Sequence, residues 1–403
     1  MAAVSVMVAL TLRQANYPNI VVGLVAACFA GGFLLGTHFS PGEIRRIGHI
    51  RSYALFAAIG AIAALSFSLG VTPLGWALVQ TVIGLSSASL LTAGESWIAD
   101  ATPETQRGAI LSFYHMVSKT GAIAGPFLIS ATQTSAGGFM LIAALFAASL
   151  IPVTATNRSQ PALSTAAPFG PREILKHAPA SAFAAFCAGA VNNSVAQLYP
   201  LFTEHVAAGD GQVLTANFNA ALLAGAMVAL WPSGRLSDRI DRRHVILGLS
   251  VIGAVAAISL FLLANVPGTA ALLACAFLFG GGSLSYYAVA VAHAADRASP
   301  EQTTSMMAGI LLIWGIGSVL GPAVAGAFMS AGLGAPGLFL FAGVALALLA
   351  FTMMSRTAHA APVPAEEKEP FGVAPATSLA IAEFDPRGEA EQLDLFTQSE
   401  MSP

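Results

Sequence analysis

Apolar residues along this chain do not alternate with polar ones. They run almost unbroken over stretches long enough to span a membrane. A helix needs roughly 20 such residues to cross a ~30 Å hydrocarbon layer. Runs near that length occupy 20–38, 52–70, 74–98, 108–131, 137–153, 180–203, 213–233, 244–265, 269–293, 304–330 and 335–354, divided by charges or by Pro and Gly. A further run, 2–12, is shorter. Ala, Leu, Gly, Val and Phe dominate without the dyad pattern of barrel strands, so the runs predict helices.

Composition narrows the class. Of 403 residues, 56% are hydrophobic and 9% charged, against about 25% charged in soluble domains. So little polar surface cannot cover a globule, which excludes a soluble enzyme, a nucleic-acid binder and a disordered chain. The fold class expected is an all-α polytopic membrane protein. Cys28, Cys187 and Cys275 lie inside apolar runs and supply neither a disulfide framework nor metal spacing.

Charge placement then predicts orientation. With residues 39–51 inside, alternate links carry Arg45, Arg46, Arg51, Arg107, Arg158, Arg172, Lys176, Arg235, Arg239, Arg242, Arg243 and Arg297, and the opposite links carry Arg13 alone. Lys and Arg are retained on the cytoplasmic side. A multi-pass protein of a bacterial cytoplasmic membrane follows, with connector 154–179 and tail 355–403 inside. Residues 1–354 hold 14 basic and 11 acidic residues and the tail holds 3 and 9, so the tail is acidic and reads as disordered.

The chain also repeats itself. Asp100, Pro103, Glu104, Gly121, Gly125 and Pro126 recur as Asp296, Pro300, Glu301, Gly317, Gly321 and Pro322 at an offset of 196 or 197. This predicts two six-helix bundles in parallel repeat, 1–153 and 180–354, twelve helices in all. In that register 180–203 projects onto the very start of the chain, so the first helix reads as truncated. Either it begins upstream or it is stunted, and an upstream start is the preferred reading.

Gly234, Leu236, Asp238, Arg239, Arg242 and Arg243 resemble the G-x-L-x-D-R-x-G-R-R loop signature of the major facilitator superfamily, with Asp241 in place of its middle glycine. Gly36, Arg45, Arg46, Gly48 and Arg51 resemble a degraded first-half copy, with Ser40 and Pro41 where the acid belongs. The paired Gly-x-x-x-Gly-Pro segments resemble its fifth-helix motif. The run Glu95, Ser96, Trp97, followed by Arg107 and Gly108, resembles a poorly characterised bacterial branch. The resemblance implies a secondary transporter working by alternating access, and a latch of Gly234, Asp238, Arg239, Arg242 and Arg243 that closes the cytoplasmic side. It implies a small-molecule substrate, with a coupling proton or ion left open. Gln80 stands where fourth helices of this superfamily often carry a coupling arginine.

Glu95 and Lys119 are the charges inside the runs. Each costs at least about 2.5–3.5 kcal/mol at mid-membrane, so each predicts a cavity or a partner. His115 precedes Lys119 by four residues and shares its face, so both could bridge to Glu95. A structural ion pair is the competing reading. Asn193 and Gln197 could face a cavity together or glue helices. Tyr287 and Trp314 are candidate solute contacts, while Trp76, Trp97 and Trp231 read as an interfacial belt. Expected partners are the lipid bilayer and a small solute, with no nucleic acid, no cofactor, no metal and a monomeric state. The apolar lining suggests efflux of an amphiphilic compound, and Glu95, His115 and Lys119 keep an organic acid open. The rivals are a transport-dead sensor or scaffold of the same fold and an intramembrane enzyme.

Overall fold

The computed structural model describes residues 2–359 apart from 71, 101, 103–106, 133, 156–170, 208–210, 267 and 299. Most of connector 154–179 and nearly all of the acidic tail lie outside the described residues. The described residues form helices and no strand. The first set is α1 (Ala2–Gln14), α2 (Asn19–Ile47), α3 (His49–Ser66), α4 (Pro73–Asp100), α5 (Arg107–Ser130), α6 (Ser135–Ala148) and α7 (Leu150–Thr154). A short α8 (Pro171–His177) leads to α9 (Pro179–Val206), α10 (Gly211–Arg239), α11 (Arg242–Leu263), α12 (Thr269–Ala295), α13 (Pro300–Phe328) and α14 (Gly337–His359).

Among the described residues nine helices are long and apolar enough to cross a membrane, α6 and α7 counting as one. α5 and α9 have comparable length, at 24 and 28 residues, and Asn192, Asn193 and Gln197 break the apolar run of α9 without breaking the helix. α1 has 13 residues. The chain is a multi-pass membrane protein, and its links alternate between one basic end and an opposite end.

Several helices continue past the hydrocarbon, which corrects two expected loops. Residues 39–47 belong to α2, with Pro41 inside it, and the chain turns at Gly48, where φ is 87°. Gly234, Asp238 and Arg239 lie on α10, and Arg242 and Arg243 open α11. A helix satisfies its own backbone wherever it lies, so charge alone does not end it. Trp76 is not part of an interfacial belt. It is buried between Phe67 and Phe139, and its Nε1 donates to the Gly70 carbonyl at 2.7 Å.

The helices meet backbone to backbone. On α4, a methyl group at Gly84 would overlap the Phe29 carbonyl of α2, and one at Gly32 the Thr81 carbonyl. The second set repeats this crossing: Gly280 of α12 against Leu222 of α10, and Gly225 against Phe277. The offset is 196 from α4 to α12 and 193 from α2 to α10, a three-residue difference that one common offset could not show. α9 and α13 meet the same way through Gly189, Gly317 and Gly321. Their first-set counterparts are less tightly engaged. Gly121 has open space beside it, and α1, starting at Ala2, meets α5 at Gly125.

Substituting Gly84→Ala or Gly280→Ala should lower the thermal unfolding midpoint in detergent. Gly31→Ala, with nothing near it, should leave the midpoint unchanged or raise it by the ordinary Ala preference, about 1 kcal/mol. Equal behaviour of all three would show that the crossings carry no packing weight.

Candidate functional site

At the basic end, α10 stops at Arg239 and Asp241 caps α11 by accepting from the Arg243 N–H at 2.9 Å. This sharp link turns Arg242 inward. Its side chain is 1% exposed and forks onto Asp296, Nε to Oδ2 at 2.7 Å and an Nη to Oδ1 at 3.1 Å. The other Nη donates to Ser237 Oγ at 3.0 Å and Asp238 Oδ1 at 3.2 Å. One guanidinium thereby joins α10, α11 and the end of α12. Arg243 pairs with Asp241 at 2.6 Å and donates to the Arg356 carbonyl of α14 at 2.9 Å.

Burial ranks these contacts. The Asp296 side chain is 1% exposed and that of Asp238 40%. Exposed pairs contribute about 0–1 kcal/mol, whereas stranding one partner of a buried pair costs about 3–5 kcal/mol. Asp296 is therefore the anchor, with Asp238 secondary. Asp238 pairs with Arg242, not with Arg239, which is exposed on α10. Burial pushes the Asp241 carboxyl up, but Arg243's hydrogen bonds and charge outweigh it and hold the group below its usual 3.8. That pair's contribution is complete above the ordinary carboxylate value and is lost only as pH falls through the depressed one. It gives no pH dependence near neutrality. Burial and the Arg243 charge lower the Arg297 guanidinium. Behind this network His293 Nδ1 meets Ser181 Oγ at 2.8 Å.

Further in, α4 holds Glu95 completely buried. α5 does not bring Lys119 to it, and among the described residues no ion pair joins Lys119 to an acid. Tyr114 is the α5 residue in electrostatic range of Glu95, while His115 and Lys119 share the neighbouring face. One residue of helix turns the face by about 100°, and Lys119 lies a further turn along α5 from His115. Lys119 is exposed on α5, as are its neighbours from Met116 to Gly121.

The amides of α9 are used in packing. Asn193 Nδ2 donates to the Ser318 carbonyl of α13 at 2.8 Å, and Asn192 Oδ1 accepts from Ser283 of α12 at 2.6 Å. Asn193 thus acts as glue, while Gln197 is buried. Tyr287 and Trp314 come together at 6.2 Å between ring centroids, and Trp314 reaches Phe33 of α2 at 6.5 Å. Phe33 joins the first helix set to the second and carries no distinguishing sequence signal. Gln80 is buried with both amide atoms unpartnered among the described residues, as is the Tyr286 hydroxyl. Such groups are costly unless water or a ligand meets them.

Two concavities of about 290 and 410 Å³ open at the end opposite the arginines, sharing Leu10, Gln14 and Gln212. They are remote from Trp314 and from Arg242. Among the described residues no group of three His, Cys, Asp or Glu is placed to hold a metal.

The sequence model of the Major Facilitator Superfamily matches residues 1–231 and 213–387. An uncharacterized MFS-type transporter of Enterobacter sp. (strain 638), Ent638_1421, is 27% identical over 327 residues, covering 80% of this chain and 83% of its own. The uncharacterized MFS-type transporter YcaD of Salmonella newport (strain SL254) is 26% identical over 338 residues, covering 81% and 85%. Among solved structures, the nucleoside transporter NupG superposes with a TM-score of 0.69 at 15% identity, covering 88% of this chain and 93% of that one. A bacterial homologue of the human lysosomal transporter Spinster, inward-facing and occupied, also gives 0.69 at 15% identity, covering 91% and 94%. At that identity the likeness shows the fold. The family match runs across both helix sets, and with it the chain belongs to the Major Facilitator Superfamily, as a secondary transporter and not an enzyme.

Proposed function

We propose that residues 1–153 and 180–354 form two bundles that rock about a central solute pathway, with the basic end, connector and tail in the cytoplasm. The observation that carries this reading is where the two sets touch. Near the non-basic end, Asn19 donates to the Met329 carbonyl at 3.5 Å and Ile20 N–H to Ser330 Oγ at 2.9 Å. Gly23 lies against Pro322, and Gly326 against Asn19. Asn219 of α10 donates to the Ala122 carbonyl of α5 at 3.0 Å. Phe33 and Trp314 meet at mid-depth. These contacts close part of the non-basic end through small residues and a few polar bonds, beside the two concavities that α1 and α10 line there.

The solute pathway is read at mid-depth, around Trp314, Tyr287, Gln197 and the α5 face bearing His115 and Lys119, with Glu95 buried behind it. The apolar helix lining favours an amphiphilic compound and export. His115 and Lys119 favour one bearing an acid group. The solved relatives include a nucleoside transporter and the E. coli fucose:proton symporter, so the fold accepts unlike solutes and does not choose this one. The Arg242–Asp296 pair keeps the cytoplasmic ends of α10, α11 and α12 moving as one piece, and half-exposed Asp238 is the part of the latch free to exchange partners.

In reconstituted vesicles Lys119→Ala and Glu95→Gln should each reduce solute flux at least tenfold with normal membrane insertion, and full transport by both would remove them from the mechanism. Gly23→Leu should prop the outer end apart. With Cys28, Cys187 and Cys275 replaced by Ser, Asn219→Cys should then react several-fold faster with an impermeant maleimide added outside, and an unchanged rate would contradict closure of that end.

A further inference from the structure

We propose that the basic end of α10 binds a phospholipid of net negative headgroup charge. Trp231, Arg235 and Arg239 fall at i, i+4 and i+8 and form one exposed stripe. Val228, Leu236 and Ile240 are exposed alongside them. A helix face exposing Val, Leu, Ile and Trp meets acyl chains, so these two arginines sit on a lipid-facing surface at headgroup depth.

Four arginines crowd this helix junction, and they divide cleanly. Arg242 and Arg243 turn inward and take the nearby acids Asp238, Asp296 and Asp241. Among the described residues Arg235 and Arg239 have no acid within ion-pair distance. Arg235 instead lies over the Trp231 ring, 3.9 Å from its centroid. The indole orders the guanidinium but accepts none of its hydrogen bonds. A phosphate matches the planar fork in two parallel bonds. A zwitterionic headgroup would bring its own ammonium against two unneutralised cations, so charge complementarity selects an anionic lipid. On its protein side the same helix end carries Ser237 and Asp238, both partners of Arg242. A headgroup on the outer side would brace α10 where the latch is attached.

The test uses Trp231 as its own reporter, its share of emission being defined by Trp231→Phe. In vesicles of phosphatidylcholine, brominated phosphatidylglycerol should half-quench that share at about tenfold lower mole fraction than brominated phosphatidylcholine. Arg235→Gln with Arg239→Gln should abolish this preference while quenching by brominated phosphatidylcholine stays as before, which shows the helix still meets lipid. Arg235→Lys with Arg239→Lys should keep part of it. Equal quenching by both lipids in the unaltered protein, or a preference that survives the double Gln change, overturns the proposal. So does displacement of the lipid by free glycerol phosphate, which would assign the arginines to a soluble anion.

Discussion

Helices in lipid gain no hydrophobic advantage from touching one another, because acyl chains are as apolar as leucine. What holds them is close packing, and here that packing runs through glycine. Gly32 and Gly84, Gly225 and Gly280, and Gly189, Gly317 and Gly321 bring backbones together where a methyl group would collide. Each such crossing makes a stiff pair. The pairs α2–α4 and α10–α12 repeat one geometry, as a duplicated sequence would. Glycine also works at the seam between the two sets, where Gly23 lies against Pro322 and Gly326 against Asn19.

Buried charge works with this stiffness. A lone guanidinium on the protein side of α11 would be expensive; forked onto Asp296 and bonded to Ser237, it fastens three helix ends together. The glycine crossings fix the helices along their length and this pair fixes them at the basic end. The arginines left over, Arg235 and Arg239, are exposed on α10, and Arg235 stacks on Trp231. One short junction thus divides its cations between internal fastening and the exposed surface.

The spans were legible because a hydrocarbon layer demands long apolar helices whatever their packing. Their ends were not, since a helix satisfies its backbone beyond the membrane, and Pro41 and Arg239 lie within helices. Arg242 stood out by its signature, but its anchor Asp296 is 54 residues away and registered only as a landmark of the repeat. Phe33 resembles every other apolar residue in its run, and only the fold brings it to Trp314. Trp76 looked interfacial by position, and its neighbours Phe67 and Phe139 bury it. Lys119 and Glu95 were recognisable as intramembrane charges; that Tyr114, five residues earlier on α5, is the residue in range of Glu95 was not.

Rocking of two units is tested most directly by spin-label distances across the seam at both ends. Labels at Arg46→Cys with His244→Cys report the basic end, and at Asn16→Cys with Ala331→Cys the opposite end. Alternating access predicts two populations whose distances change in opposite directions when solute or an ion gradient is supplied. One fixed distance at each end, unmoved under every condition that supports flux, would contradict it.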